Sequence, residues 1–154
     1  MQQDESALVK QALAQARKEL ARSGRVLPAA YMLVQRNPQT GAPLMNPTAI
    51  GTQLDKPLAS REEYEQFLGT LRTEAGRLGA IAIALCGEAE AEIEEGERVS
   101  VRRVFFVRVE DRSGVHHLHA SIDAEAEAGP VLGTLVETHD ASDDVDTPLL
   151  PLVN

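Results

Sequence analysis

Residues 80–123 carry the strongest pattern in the chain: apolar and polar positions alternate with the period of a strand, and two turn signals interrupt the alternation. Glu95-Gly96-Glu97 and Asp111-Arg112-Ser113-Gly114 divide the stretch into three antiparallel strands. A shift of one residue exchanges the two faces of a strand, so the alternation also predicts a register. Across the second turn Glu110 pairs with Val115, which sets Val109 against His116, Val107 against Leu118 and Phe105 against Ala120. Across the first, read as a three-residue loop, Ile93 pairs with Val99, Ala91 with Val101 and Leu85 with Val107. One inner face then collects Ile81, Ile83, Leu85, Ile93, Val99, Val101, Phe105, Val107, Val109, Leu118 and Ile122. The outer face collects Glu88, Glu90, Glu92, Arg102, Arg108, His117, His119 and Asp123 around an apolar middle of Ala82, Ala84, Cys86, Val104 and Phe106. Glu90, Arg102 and Asp123 fall in one cross-strand row of alternating charge.

Helical spacing appears twice upstream. Leu8, Val9, Ala12, Leu13, Ala16 and Leu20 mark one face of a helix over residues 5–23, with Asp4 to start it and Gly24 to stop it. Ser60 and Glu63 form a capping box ahead of Tyr64, Phe67, Leu68, Leu71, Ala75 and Leu78, and Gly79 ends that second helix, which is expected on the inner face of the sheet. Between the helices, Ala29–Arg36 reads as a strand and Asn37-Pro38-Gln39-Thr40-Gly41 as a turn. The return over Ala42–Ile50 contains Pro43 and Pro47, which confine it to an edge strand or an extended loop. Val131–Glu137 can add one more strand, weakened by Gly133.

These elements predict an α+β fold in the order α-β-β-α-β-β-β(-β): a mostly antiparallel sheet, built from an N-terminal hairpin and a three- or four-strand meander, with two helices against it. Residues 1–137 form a single domain. Residues 138–146 are acidic and expected to be mobile, and Thr147–Asn154 is apolar but broken by proline, an extended segment lying on the body or on a partner. The element order is similar to that of Roadblock and profilin-like domains, a likeness of order that carries no function.

Composition narrows the partners. Fifteen basic and 24 acidic residues give a formal charge of −9, and no basic tract is present, so nucleic acid and anionic membrane surfaces are disfavoured. The longest apolar run, Ala80–Cys86, is far short of the ~20 residues of a membrane helix. The start, MQQDESALVKQ, lacks the apolar core of a secretory signal, and one cysteine makes no internal disulfide. Together these point to a cytoplasmic protein, and the abundance of Ala, Arg and Glu points to a bacterial source. Aromatic residues are only 3%, so the core must come from Ala, Leu, Val and Ile.

The candidate chemistry is sparse. His117 and His119 share a face and could hold zinc if a third ligand converged, but their expected cross-strand neighbours are Arg108 and Phe106, a cation and an apolar ring. A His-x-His-Pro motif of the JAB-type metalloproteases is not matched, since Ala120 stands in place of the proline. His117, His119 and Arg108 remain a candidate anion or ligand site, and His116 a structural residue at the hairpin edge. Cys86 ends an apolar strand and reads as an inert small residue. Six glutamates over residues 88–97 lack the spacing of a calcium loop. No catalytic, cofactor-binding or metal-binding residue is assigned, and no cofactor is implied.

The sequence therefore favours a non-enzymatic binding or assembly module acting through its sheet face as a homo-oligomer, most simply a dimer. Val104, Phe106, Ala84 and Cys86 are its expected interface, with a different protein partner as a further possibility. The competing arrangement has the N-terminal helix or the proline-rich tail covering that face within the monomer. A small hydrolase or a metal- or anion-dependent enzyme centred on His117, His119 and Arg108 is the alternative function.

Overall fold

The computed structural model describes residues 3–123, 129–137 and 149–150. The acidic stretch expected to be mobile and most of the proline-rich tail lie outside the described residues. Helix α1 (Gln3–Ser23) leads into β1 (Ala29–Arg36) and β2 (Pro43–Gln53). Helix α2 (Arg61–Leu78) follows, then β3 (Ala82–Glu95), β4 (Arg98–Asp111), β5 (Gly114–Asp123), β6 (Val131–Leu132) and β7 (Val136–Glu137). All pairings are antiparallel, in the order β2-β1-β3-β4-β5-β6, with β7 also on β5. The α+β order read from the sequence is the order observed. β2, with its two prolines, is an edge strand, and the expected last strand is two short ones interrupted at Gly133.

Local chemistry sets the ends of α2. Ser60 accepts from the Glu63 amide at 3.1 Å, and the Glu63 carboxylate reaches back to the Ala59 amide at 2.7 Å, one residue earlier than the simplest capping box. Gly79 closes the helix in the left-handed region at φ 62.

The β4–β5 register agrees with the alternation, pairing Glu110 with Val115, Val109 with His116, Val107 with Leu118 and Phe105 with Ala120. The β3–β4 register does not. Leu85 lies opposite Arg108, Cys86 opposite Val107 and Ala84 opposite Val109, a slip of one residue from the expected pairing. The turn has two residues, Gly96 and Glu97, and Gly96 at φ 67 occupies the first central position, where a tight type II′ hairpin needs glycine.

The slip divides the expected inner face between two cores. α1 packs Leu8, Ala12, Ala16 and Leu20 onto Tyr31, Ala82, Ala84, Cys86, Phe105, Val107 and Val109. On the opposite face α2 packs Phe67, Leu71, Ala75 and Leu78 onto Ala30, Met32, Val34, Ile83 and Leu85, so it shares a face with Ile83 but not with Phe105. Val99 and Val101, expected inside, are each 60% exposed. Glu90 pairs with Arg103 and Arg102 with Ala91, which removes Glu90 from the predicted row with Arg102 and Asp123. A strand covered on both sides carries apolar residues at both parities, and the run Ala80–Cys86 does so.

Candidate functional site

The most developed polar arrangement lies on the α2 face of β4. Arg108 and Glu110, two residues apart on one strand, point the same way and meet at 3.1 Å, each side chain 5% exposed. The Glu110 carboxylate also accepts the backbone N–H of Leu149, at 3.0 and 3.2 Å to its two oxygens, and that of Leu150 at 2.8 Å. The two leucines are buried in the same apolar cluster as Ile83, Leu85, Phe67 and Leu78. Part of the tail thus lies on the body, over the face that Arg108 shares with Phe106. A buried carboxylate with a guanidinium and two amide donors is well supplied with partners, as an interior charge must be.

Arg108 does lie opposite His117, and Phe106 opposite His119, as the sequence predicts. Arg108 is nevertheless buried against Glu110 while His117 is exposed and His119 half-buried. His116, on the α1 face, meets Glu137 of β7 at 2.9 Å and so helps hold the last strand. Among the described residues, no three His, Cys, Asp or Glu side chains converge as a metal site would require.

The four residues expected to form one interface do not share a face. Val104 and Phe106 are half-buried on the α2 side, whereas Ala84 and Cys86 are 0% and 2% exposed beneath α1. Phe106 finds cover from an unexpected source. It pairs with Gly87, and its ring passes 3.3 Å from where a Cβ of that residue would stand, so the bare backbone makes room for the ring. The ring also walls a cavity of 390 Å³ with Leu85, Leu58, Tyr64 and the loop residues Arg25–Pro28.

Cys86 is set against nucleophilic chemistry. Burial, with the charge of Glu19 as a second cause, pushes its thiol from the ordinary 9.0 up to about 12. Burial, then Cys86 and Glu19, raises the nearby Tyr31 phenol from 10.0 to about 12. Both groups are acids whose folded values exceed their unfolded ones. Their contribution is complete below pH 9 and falls as the unfolded chain begins to ionise, at a slope of up to about 1.4 kcal/mol per pH unit for each group. Urea midpoints are therefore expected to drop from pH 9 to pH 11, with Cys86→Ala removing the part that begins near 9. A midpoint independent of pH over that range would contradict this environment for the thiol.

Beyond the body, β3 and β4 continue as an arm. β1 pairs with β3 only from Ala82 to Cys86, and β5 pairs with β4 only from Val104 to Asp111. Among the described residues, the arm beyond them is a two-stranded ribbon with an outward edge on each strand. Its root is anchored by Arg103, which holds Glu88 through bonds of 2.9 and 2.6 Å and donates to the Gly24 carbonyl at 2.6 Å. Glu88 in turn accepts the Val26 amide, and the buried Glu19 accepts that of Leu27 at 2.8 Å, so two carboxylates fix the loop entering β1. The alternation gave no sign of these contacts; the one available signal was the acidic residue at a core position of α1, Glu19. Comparison with family models, curated proteins and solved structures finds no match.

Proposed function

We propose that the protein is a non-enzymatic assembly module that forms a homodimer, with the β3–β4 arm as the contact in place of the sheet face, which carries helices on both sides. The observation that carries the reading is the arm itself: a two-stranded ribbon beyond the sheet, with Val99 and Val101 60% exposed on one of its faces. Isolated two-stranded ribbons are marginal in water, and open strand edges are templates for pairing with another chain.

Charge selects the edge. In a two-fold antiparallel pairing, residues of the same face oppose each other. On β3 every second position from Glu88 to Glu94 is glutamate, so two β3 edges would set like charges against each other. On β4 the same operation centred at Val99 sets Val99 against Val99, Arg98 against Ser100 and Glu97 against Val101, with no like charges opposed. Pairing through β4 joins two ribbons into a four-stranded sheet. The formal charge of −9 disfavours nucleic acid as a competing partner, and a reducing, cytoplasmic setting is the reading its single buried thiol favours. A hydrolytic or anion site on His117, His119 and Arg108 has less support, because Arg108 is buried against Glu110.

Val99→Lys/Val101→Lys tests the proposal. Each lysine lies opposite a glutamate of its own chain, Glu94 and Glu92, so the arm itself is favoured while two copies bring lysines together. The expected result is twice the chain mass in solution for wild type and a folded monomer for the variant. A wild-type monomer at several hundred micromolar, or a variant that dimerises as well as wild type, would exclude the arm.

A further inference from the structure

The Leu149-Leu150 segment is bound as a ligand is bound. Among the described residues it makes no backbone ladder with the sheet; its two amides are taken by one side chain, the Glu110 carboxylate, and its two leucine side chains are buried in an apolar recess, in one cluster with Ile83, Leu85 and Phe67. Arg108 stands beside the carboxylate at 3.1 Å and balances its charge inside the recess. Eleven residues, 138–148, separate the segment from β7, and four of them are aspartate. A tether of that length spans on the order of 36 Å when extended, at ~3.3 Å per residue. Nothing in such an attachment requires occupant and recess to belong to one chain, and exchange of an identical element between copies is a low-cost route to association.

We infer that the recess around Glu110 and Arg108 is a binding site for a bent peptide segment with two consecutive leucines, and that its partner in trans is the Leu149-Leu150 segment of a second copy. The leucines supply apolar burial. Two successive N–H groups turned toward one carboxylate select a bent backbone with two free amides, which excludes proline at either position. The segment of the same chain competes at an effective concentration of roughly millimolar, so the site is masked in a dilute solution of wild-type chains.

The test is a titration of the Leu149→Asp/Leu150→Asp chain with a fluorescent peptide of residues 146–153. Saturable binding is expected, at least about tenfold tighter than to wild type, whose own segment fills the recess. A peptide N-methylated at both leucine amides lacks the two donors and is expected to bind at least about tenfold more weakly. Absence of saturable binding to the folded variant, or equal binding of the methylated peptide, would overturn the inference. Should the variant not fold, ¹⁵N-labelled wild type with millimolar unlabelled peptide gives the same decision. The Leu149 and Leu150 amide signals are expected to move as their segment is displaced, and unmoved signals would count against the site. The arm is unaltered in every sample, so failure here leaves arm-mediated dimerisation standing, and failure of the arm leaves this result standing.

Discussion

Glu110→Ala is expected to lower the free energy of unfolding by about 3–5 kcal/mol, because it leaves the Arg108 guanidinium inside the protein without its carboxylate. Two further losses fall on the same substitution, the acceptors of the Leu149 and Leu150 amides. Replacing both charges, as in Arg108→Met/Glu110→Leu, is expected to recover most of the loss, since a buried ion pair and a well-packed apolar pair are often similar in stability. The released tail should still be detectable in the double variant as faster exchange of the two leucine amides. Urea denaturation of the three chains measures the stability cycle, and a Glu110→Ala loss below about 1 kcal/mol, typical of an exposed pair, would contradict the buried geometry.

How far the sequence leads depends on how many faces of an element are buried. The β4–β5 register was legible because its turn is locally determined: the Asp111 carboxylate accepts the amides of Ser113 at 2.7 Å and Gly114 at 3.1 Å, which fixes the two-residue loop whatever lies elsewhere. The capping box and the closing glycine of α2 are local in the same sense, and they too were legible. β3 was not, because alanine and isoleucine alternate along it and both are apolar. Ala82 and Ala84 fit close beneath α1, Ile83 and Leu85 fill the space beneath α2, and the pattern gives no reason to prefer either face. A single apolar face would place the valines at 99 and 101 inward and shift the register by one, whereas two covered faces leave both valines exposed.

The candidate site was half legible. Arg108, His117, Phe106 and His119 are neighbours as expected, but the residue that gives Arg108 its role, Glu110, read as an ordinary strand end. The available signal was Arg-x-Glu on one face of an otherwise apolar strand segment, a spacing that brings opposite charges together when both are buried. That the tail would supply the amides was beyond reach of the pattern, since the contact joins residues about 40 positions apart.

The second large effect tests which face lies beneath α1. Ala84→Asp places a carboxylate where the side chain is 0% exposed, among Leu8, Tyr31 and Val109. A loss of about 4 kcal/mol or more is expected, the range reached when an unpaired charge enters a core. Met45→Asp, on the β2 edge at a residue 99% exposed, is the control and should stay within about 0.5 kcal/mol of wild type. Were Ala84 part of an outward interface, Ala84→Asp would instead give a stable monomer. Comparing the thermal midpoints of the two variants separates these outcomes.

The claim that two copies meet through the arm is tested most directly by amide hydrogen exchange as a function of protein concentration. In a lone ribbon the outward amides of residues 98–103 exchange rapidly, and pairing with a second β4 edge protects them. Protection is expected to rise by at least about tenfold between roughly 5 µM and 500 µM for those amides, with the β1 and β4 amides of the body unchanged. The same rates in the arm at both concentrations, with wild type a monomer throughout, would contradict it.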